Sequence, residues 1–203
     1  MKLIIGDKLV SSWSLRPWLL MKYFDIPFEE VVVSLGQADT KVQIQRYSPS
    51  GRVPALIDGE LRVWDSLSIL EYLNDKFPDR AILPEDENER AWCRSICAEM
   101  HSGFLELRAK LSFRLDPVGP GFDVGSAQQD IDRIQEIWTE CLEYSGGPFL
   151  FGNFSMADAM YAPVAVGRFV PYGVKREGVV AQYCRHMLSI PALKNWIADA
   201  YAH

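Results

Sequence analysis

The stretch Arg52-Val-Pro-Ala-Leu-Ile-Asp-Gly-Glu-Leu-Arg-Val-Trp-Asp-Ser-Leu-Ser-Ile-Leu-Glu-Tyr-Leu73 constrains this chain more than any other. Two short apolar runs, Ala55 to Ile57 and Leu61 to Trp64, flank Asp58-Gly59-Glu60, the Asp-Gly signal of a tight β-turn. Pro54 stands at the entry to the first run, where a proline is tolerated and from where it cannot disturb the ladder. Leu67, Ile69, Leu70 and Leu73 then recur at helical spacing behind Ser66, so the segment reads as a hairpin feeding an amphipathic helix. Ser66 is expected to cap that helix, whose free backbone N–H groups favour an anionic ligand group.

The elements around this hairpin alternate in type. Lys2 to Gly6 and Glu30 to Ser34 read as strands, Leu15 to Phe24 as an amphipathic helix and Thr40 to Arg46 as a short one. The first 80 residues thus give the order βαβαββα. Phe77 to Pro84, with two prolines, reads as a linker. Beyond it every strong pattern is helical: one long helix over Glu89 to Leu115, a break over Pro117 to Gly125, then helices over Ala127 to Tyr144, Glu177 to Met187 and Pro191 to Tyr201. Ser155-Met-Ala-Asp158 reads as a capping box with Phe154 available as its staple, which makes Asp158 structural. The expected domains are residues 1–78, a linker at 79–86, and an all-helical unit at 87–203.

Hairpin and helix together resemble the glutathione transferase superfamily. The resemblance implies an N-terminal thioredoxin-like α/β domain followed by an all-α domain. It implies that Pro54 is cis, that Val53 offers its backbone N–H and C=O to the cysteine of glutathione, and that Asp65-Ser66 grips the γ-glutamyl end. The chemistry agrees, because a carboxylate accepts from an ammonium and a serine at a helix N-terminus donates to a carboxylate. Arg52 is a candidate partner for the glycyl carboxylate.

A second motif follows the first strand: Ser11-Ser-Trp-Ser-Leu-Arg-Pro-Trp18. Pro17 suits the first turn of a helix, with Ser14 or a preceding serine as its cap. The motif resembles the Ser-Ser-Cys-Ser-Trp-Arg of the zeta class, the maleylacetoacetate isomerase group. That resemblance places a hydroxyl at Ser11, with Ser12 as competitor, beside the glutathione sulfur. A thiol of pKa near 8.5 is only a few per cent thiolate at neutral pH, and the thiolate is the nucleophile. Lowering that pKa by about two units takes roughly 2.7 kcal/mol, within reach of one charge-assisted hydrogen bond and a helix terminus. Arg16 either holds the helix start or faces ligand carboxylates. Trp13, where the zeta motif has cysteine, borders both glutathione and the second substrate. No cysteine occurs before Cys93, so glutaredoxin-type exchange lacks its nucleophile.

For the second substrate, His101, Leu105, Arg108 and Ser112 recur at three- and four-residue spacing on the expected long helix. Arg168 resembles the arginine that zeta members turn toward a substrate carboxylate. Each has an ordinary alternative as a surface, structural or salt-bridged group.

Composition narrows the classes. With 203 residues, 48% of them hydrophobic, and a net charge of −6, the chain is expected to be globular and not a nucleic-acid binder. No apolar run reaches the roughly 20 residues of a membrane span, and the N-terminus lacks a signal-peptide pattern, so a cytoplasmic protein is expected. Cys93, Cys97, Cys141 and Cys184 form no metal or disulfide pattern, and no metal is expected. The expected function is a glutathione-dependent transferase acting on a small electrophile, with glutathione as co-substrate and a homodimer by resemblance. The alternatives are a zeta-type cis-trans isomerase and a non-catalytic binding or regulatory protein of the same fold.

Overall fold

The computed structural model describes residues 1–119 and 121–202. Pro120, part of the expected break, and His203 lie outside the described residues. The N-terminal unit is a four-stranded sheet of β1 (Lys2–Gly6), β2 (Glu29–Val33), β3 (Ala55–Asp58) and β4 (Leu61–Trp64), in the order β2-β1-β3-β4. β1 and β2 are parallel, with Lys2 opposite Glu29, and a parallel pair needs a crossover. The crossover is α1 (Ser12–Tyr23). β3 runs antiparallel to both neighbours, pairing Leu56 with Leu3 and Ala55 with Trp64. Asp58 pairs with Leu61, so the turn proper is Gly59-Glu60, and Gly59 takes the positive φ of 59° that this tight turn requires.

Alternation along the central strand splits the core in two. Leu3 and Ile5 face one way with Leu56, toward α1 and α3 (Ser66–Lys76). Ile4 faces the other way with Val33, Ala55 and Ile44, the last from α2 (Thr40–Gln45). This is the thioredoxin-like arrangement that the resemblance implied.

Three local expectations change. α1 is not amphipathic in use: it begins at Ser12, and every residue from Ser14 to Met21 is buried, because the helical unit covers the side that the sheet does not. Pro17 lies within α1 beyond the first turn, where its missing N–H leaves the Trp13 carbonyl without its usual partner. α3 is capped by Asp65 and not by Ser66: the Asp65 carboxylate accepts from the Leu67 N–H at 2.9 Å, and Ser66 is the first helical residue.

The helical unit comprises α4 (Glu87–Ser102), α5 (Leu105–Lys110), α6 (Gln128–Ser145), α7 (Met156–Val164), α8 (Gly178–Ser189) and α9 (Pro191–Ala202). The single helix expected over Glu89 to Leu115 is broken at Gly103-Phe104, where Phe104 takes a left-handed φ of 59°. That conformation costs about 1–2 kcal/mol for a bulky residue. Phe104 is nevertheless buried, so its ring supplies the compensating packing. The apolar periodicity runs on across the break, which hides it from a pattern-based reading.

α7 begins with the expected capping box. The Asp158 carboxylate accepts from the Ser155 N–H, the Ser155 hydroxyl, the Leu150 N–H and the Tyr183 hydroxyl. Phe154 stacks on Tyr23 of α1 at 4.0 Å and so helps join the two units. α7 then widens into a π-helical turn, Ala165–Phe169. Gly167 in that turn is required by close approach: a Cβ there would lie 2.2 Å from the Phe113 ring. The widened turn carries Arg168.

Candidate active site

At the start of α1, Ser11 Oγ donates to Ser14 Oγ at 2.7 Å, and Ser14 Oγ also accepts from the Gly6 N–H at 3.1 Å. The serines therefore fasten the helix start to the end of β1. The Ser12 hydroxyl makes no hydrogen bond among the described residues. Both Ser11 and Ser12 are buried.

Beside this helix start lies a cleft of about 590 Å³, lined by Trp13, Arg52, Val53, Pro54, Asp65 and Ser66. Six residues named from the sequence thus meet around one space. The Val53–Pro54 peptide is cis, as the resemblance implied. Among the described residues, neither the N–H nor the C=O of Val53 is used in a hydrogen bond, which leaves a short strand edge open to a ligand. Ser50 and Trp64 also line the cleft and were missed. Ser50 had a local signal, a serine two residues before Arg52 whose N–H it accepts at 3.1 Å. Trp64 had one too, as a large aromatic residue closing a strand immediately before Asp65.

Asp65 takes φ 77° and ψ 137°, a conformation that costs a non-glycine residue about 1–3 kcal/mol and is characteristic of functional sites. The strain aims its carboxylate at both the helix N-terminus and the second unit. One oxygen accepts from Leu67, and the other lies 3.3 Å from His101 Nε2 on α4. Burial lowers the His101 pKa below its ordinary 6.5; Asp65 opposes this, and Arg16 and Arg108 add to it. Its Nδ1 is buried and has no hydrogen-bond partner among the described residues.

Ser66 is buried yet reaches the cleft, and its hydroxyl accepts from Arg16 Nη1 at 3.2 Å. Arg16 Nε donates to the Met160 carbonyl of α7 at 3.2 Å, so this one side chain ties the cleft to the helical unit. Burial, then repulsion from Arg108 and Arg168, pushes the Arg16 pKa down to about 9. It remains a cation at neutral pH.

Trp13 forms the wall on the helical side. The guanidinium carbons of Arg16 and Arg108 lie 4.2 and 4.8 Å from its ring centroid, and His101 meets it edge-on at 5.3 Å. Arg108 donates to the carbonyls of Gly103 and Met100. Burial lowers its pKa. Arg168 is 5% exposed and is pushed down to about 10 by burial and by Arg108. It makes no hydrogen bond among the described residues, and its Nε is buried without a partner. Leu105 does not join this group: the break at Gly103-Phe104 removes it from the face carrying His101, and it is 70% exposed. Ser112 is engaged by the Tyr172 hydroxyl at 3.0 Å.

The four cysteines are buried and unpaired. Among the described residues there is no grouping fit to hold a metal ion and no helix long and apolar enough to cross a membrane.

Residues 10–76 match the family model described as glutathione S-transferase, N-terminal domain. Glutathione S-transferase Z2 of Arabidopsis thaliana is 36% identical over 208 residues, spanning 95% of this chain and 91% of that protein. Maleylacetoacetate isomerase of Rattus norvegicus is 34% identical over 157 residues, spanning 75% and 70%. Among solved structures, a bacterial zeta-class maleyl pyruvate isomerase in its holo form superposes with a TM-score of 0.72 at 20% identity, covering 98% of each chain. The chain belongs to the glutathione S-transferase family.

Proposed function

We propose that this protein is a glutathione-dependent enzyme that adds the glutathione thiolate to an electrophilic carbon of a small molecule. The observation that carries this reading is the open backbone edge of Val53 facing the Asp65-Ser66 turn across one cleft. An extended tripeptide pairs its cysteine with Val53 and extends its γ-glutamyl end to Asp65, for the ammonium, and to Ser66, for the carboxylate. Because the Ser66 hydroxyl already accepts from Arg16, its own proton is free to donate to that carboxylate. Arg52, exposed at the rim, meets the glycyl carboxylate. A homodimer is part of the same reading.

Ser11 donates to the sulfur. To do so its proton turns away from Ser14, giving up a neutral hydrogen bond worth about 0.5–1.5 kcal/mol for one to an anion worth about 1.5–3 kcal/mol. The exchange favours the thiolate, as do the positive end of α1 and the buried Arg16 cation. The thiolate then forms a C–S bond, and the electrophile's electron pair moves to its leaving group or its conjugated carbonyl. Arg168 receives a substrate carboxylate.

If the adduct is released the outcome is conjugation. If the C–S bond breaks again after rotation about the former double bond, the outcome is cis-trans isomerisation. The isomerase names of the rat relative and of the bacterial structure favour this as the second reading. A non-catalytic binding protein is the third. Calorimetry with glutathione, together with a turnover screen of chloronitrobenzene, organic peroxides and maleylacetone, separates them. No binding at millimolar glutathione overturns the site and the enzyme; binding without any turnover leaves the regulatory reading standing.

A further inference from the structure

Lys8, in the loop between β1 and α1, is gripped by three elements although it stands outside the cleft. Its Nζ donates to Asp199 Oδ2 of α9 at 2.7 Å and lies 2.8 Å from Glu30 Oε1 of β2, with 9% of the side chain exposed. The same ammonium sits 5.0 and 5.5 Å from the ring centroids of Trp18 on α1 and Trp196 on α9, two buried indoles that meet edge-on. Trp18 Nε1 donates to Glu30, and Trp196 Nε1 donates to the backbone carbonyl of Lys8 itself at 3.1 Å. Burial works against the charge of Lys8, but the two carboxylates outweigh it, and the pKa is raised. None of these residues lines the cleft.

Such a cluster fixes one point of the chain. That point lies in the loop from Asp7 to Ser11, which ends in the proposed thiolate donor. Asp7 closes the loop on itself, its carbonyl accepting from the Val10 and Ser11 N–H groups, and its carboxylate accepts from the Leu35 N–H at 2.6 Å. Leu9 and Val10 are exposed, so the loop meets α9 and β2 through Lys8. A hydrogen-bond donor to a reacting atom has to be held to within about 0.5 Å by side chains that are themselves locked. Taking the proposed role of Ser11 as its basis, we propose that Lys8 is the positioning residue of the thiolate donor. Through Trp196 and Asp199, α9 clamps the main chain and the side chain of Lys8 together and so sets where Ser11 Oγ stands relative to the sulfur. The last helix of the chain thereby belongs to the thiolate-stabilising apparatus without touching the ligand.

The test follows the thiolate absorbance of bound glutathione against pH, and so measures its thiol pKa, in wild type, Trp196→Phe, Asp199→Asn and Lys8→Met. Trp196→Phe keeps a ring in the cluster, removes the donor to the Lys8 carbonyl and changes no charge. Asp199→Asn removes one of the two carboxylates at a half-exposed position, and Lys8→Met releases both. All three are expected to raise the thiol pKa, Lys8→Met by about half a unit or more, which lowers the thiolate fraction below the pKa by about threefold. Asp199→Asn is the most telling in sign: loss of a negative charge acting through the field alone lowers a thiol pKa, whereas a displaced Ser11 raises it. Affinity for S-methylglutathione, which has no thiol to ionise, is expected to stay as in wild type.

The same substitutions are then made in the Ser11→Ala protein. A positioning effect needs the Ser11 hydroxyl, so there they should add nothing, whereas the field of a lost charge persists in both backgrounds. A wild-type thiol pKa in folded Lys8→Met or Trp196→Phe overturns the proposal, as does a rise that is equally large without the Ser11 hydroxyl. If Lys8→Met does not fold, Trp196→Phe and Asp199→Asn decide. Failure of S-methylglutathione to bind at all removes the underlying functional reading, and this proposal with it. Binding with a thiol pKa indifferent to Ser11→Ala removes the role of Ser11 and again this proposal; a pKa that responds to Ser11→Ala but to none of the cluster variants removes the proposal for Lys8 alone.

Discussion

Arg16 and Ser66 are joined by a 3.2 Å hydrogen bond from guanidinium to hydroxyl, linking the first helix to the start of the third. The same guanidinium reaches the Met160 carbonyl, so the cleft and the contact between the two units share one side chain. Ser66 becomes an obligate acceptor toward the protein and a donor toward the cleft.

Replacing Arg16 with methionine keeps much of the volume and removes both donations. Each orphaned partner costs about 1–3 kcal/mol, partly offset by no longer burying a cation, for a net loss of about 2 kcal/mol. In a protein of this size that lowers Tm by roughly 4–8 °C, read by calorimetry. Glutathione affinity falls by about tenfold, because the Ser66 hydroxyl is no longer oriented.

Ser11→Ala is expected to raise the pKa of the bound glutathione thiol by about one to two units, while affinity for glutathione changes by less than about threefold. The thiolate absorbance near 240 nm, followed against pH, measures the pKa. If Ser12→Ala produces this shift and Ser11→Ala does not, the donor is Ser12.

His101 should make stability depend on pH. Its folded pKa lies below the ordinary 6.5, chiefly through burial, so the unfolded chain binds the proton more tightly. Its contribution is therefore complete above pH 6.5 and is lost as pH falls below that value toward the lowered folded pKa. A Tm-versus-pH series comparing wild type with His101→Gln should show a steeper acid loss in the wild type.

Asp158 acts with the opposite sign. Burial outweighs its four hydrogen-bond donors and raises its pKa from 3.8 to about 6. The stability linked to this raised pKa is present in full below pH 3.8 and is lost as pH rises through about 6, a change on the order of 3 kcal/mol. Asp158→Asn should flatten the denaturation midpoint across that interval. Asp158→Ala, which abandons all four donors, should cost about 3–5 kcal/mol near pH 6 and more toward pH 3.8, where the wild type keeps the linked stability and the variant has none to gain.

Gly167→Ala places a methyl group against the Phe113 ring, where the structure has room for none. Overpacking of this kind costs about 1–3 kcal/mol. Urea denaturation should register the loss.

The sheet and the cleft were legible because their signals are local. The Asp58-Gly59 turn, the Val53-Pro54 entry and the short apolar run from Lys2 to Gly6 each depend on neighbours in sequence. What escaped depends on distant partners. The burial of α1 on all sides is imposed by the helical unit, and the left-handed Phe104 is paid for by packing that no periodicity records. Asp65 displaced Ser66 as the cap because its strained backbone brings the carboxylate to Leu67, a geometry invisible in the dipeptide. Trp13 was placed at the border of both ligands, but its stacking on Arg108 as well as on the nearby Arg16 depends on a residue far along the chain.

The gathering of Arg16, Arg108 and Arg168 in a chain of net charge −6 gives the molecule a divided electrostatic character. At long range an approaching anion meets the field of an acidic body and is repelled; close to the cleft it enters the field of the three cations. Salt screens the first much more than the second, since a distance beyond about 8–10 Å is largely screened at physiological ionic strength. Modest salt should therefore speed the encounter with anionic ligands before it weakens their grip, the reverse of the monotonic slowing seen where long-range charge attracts.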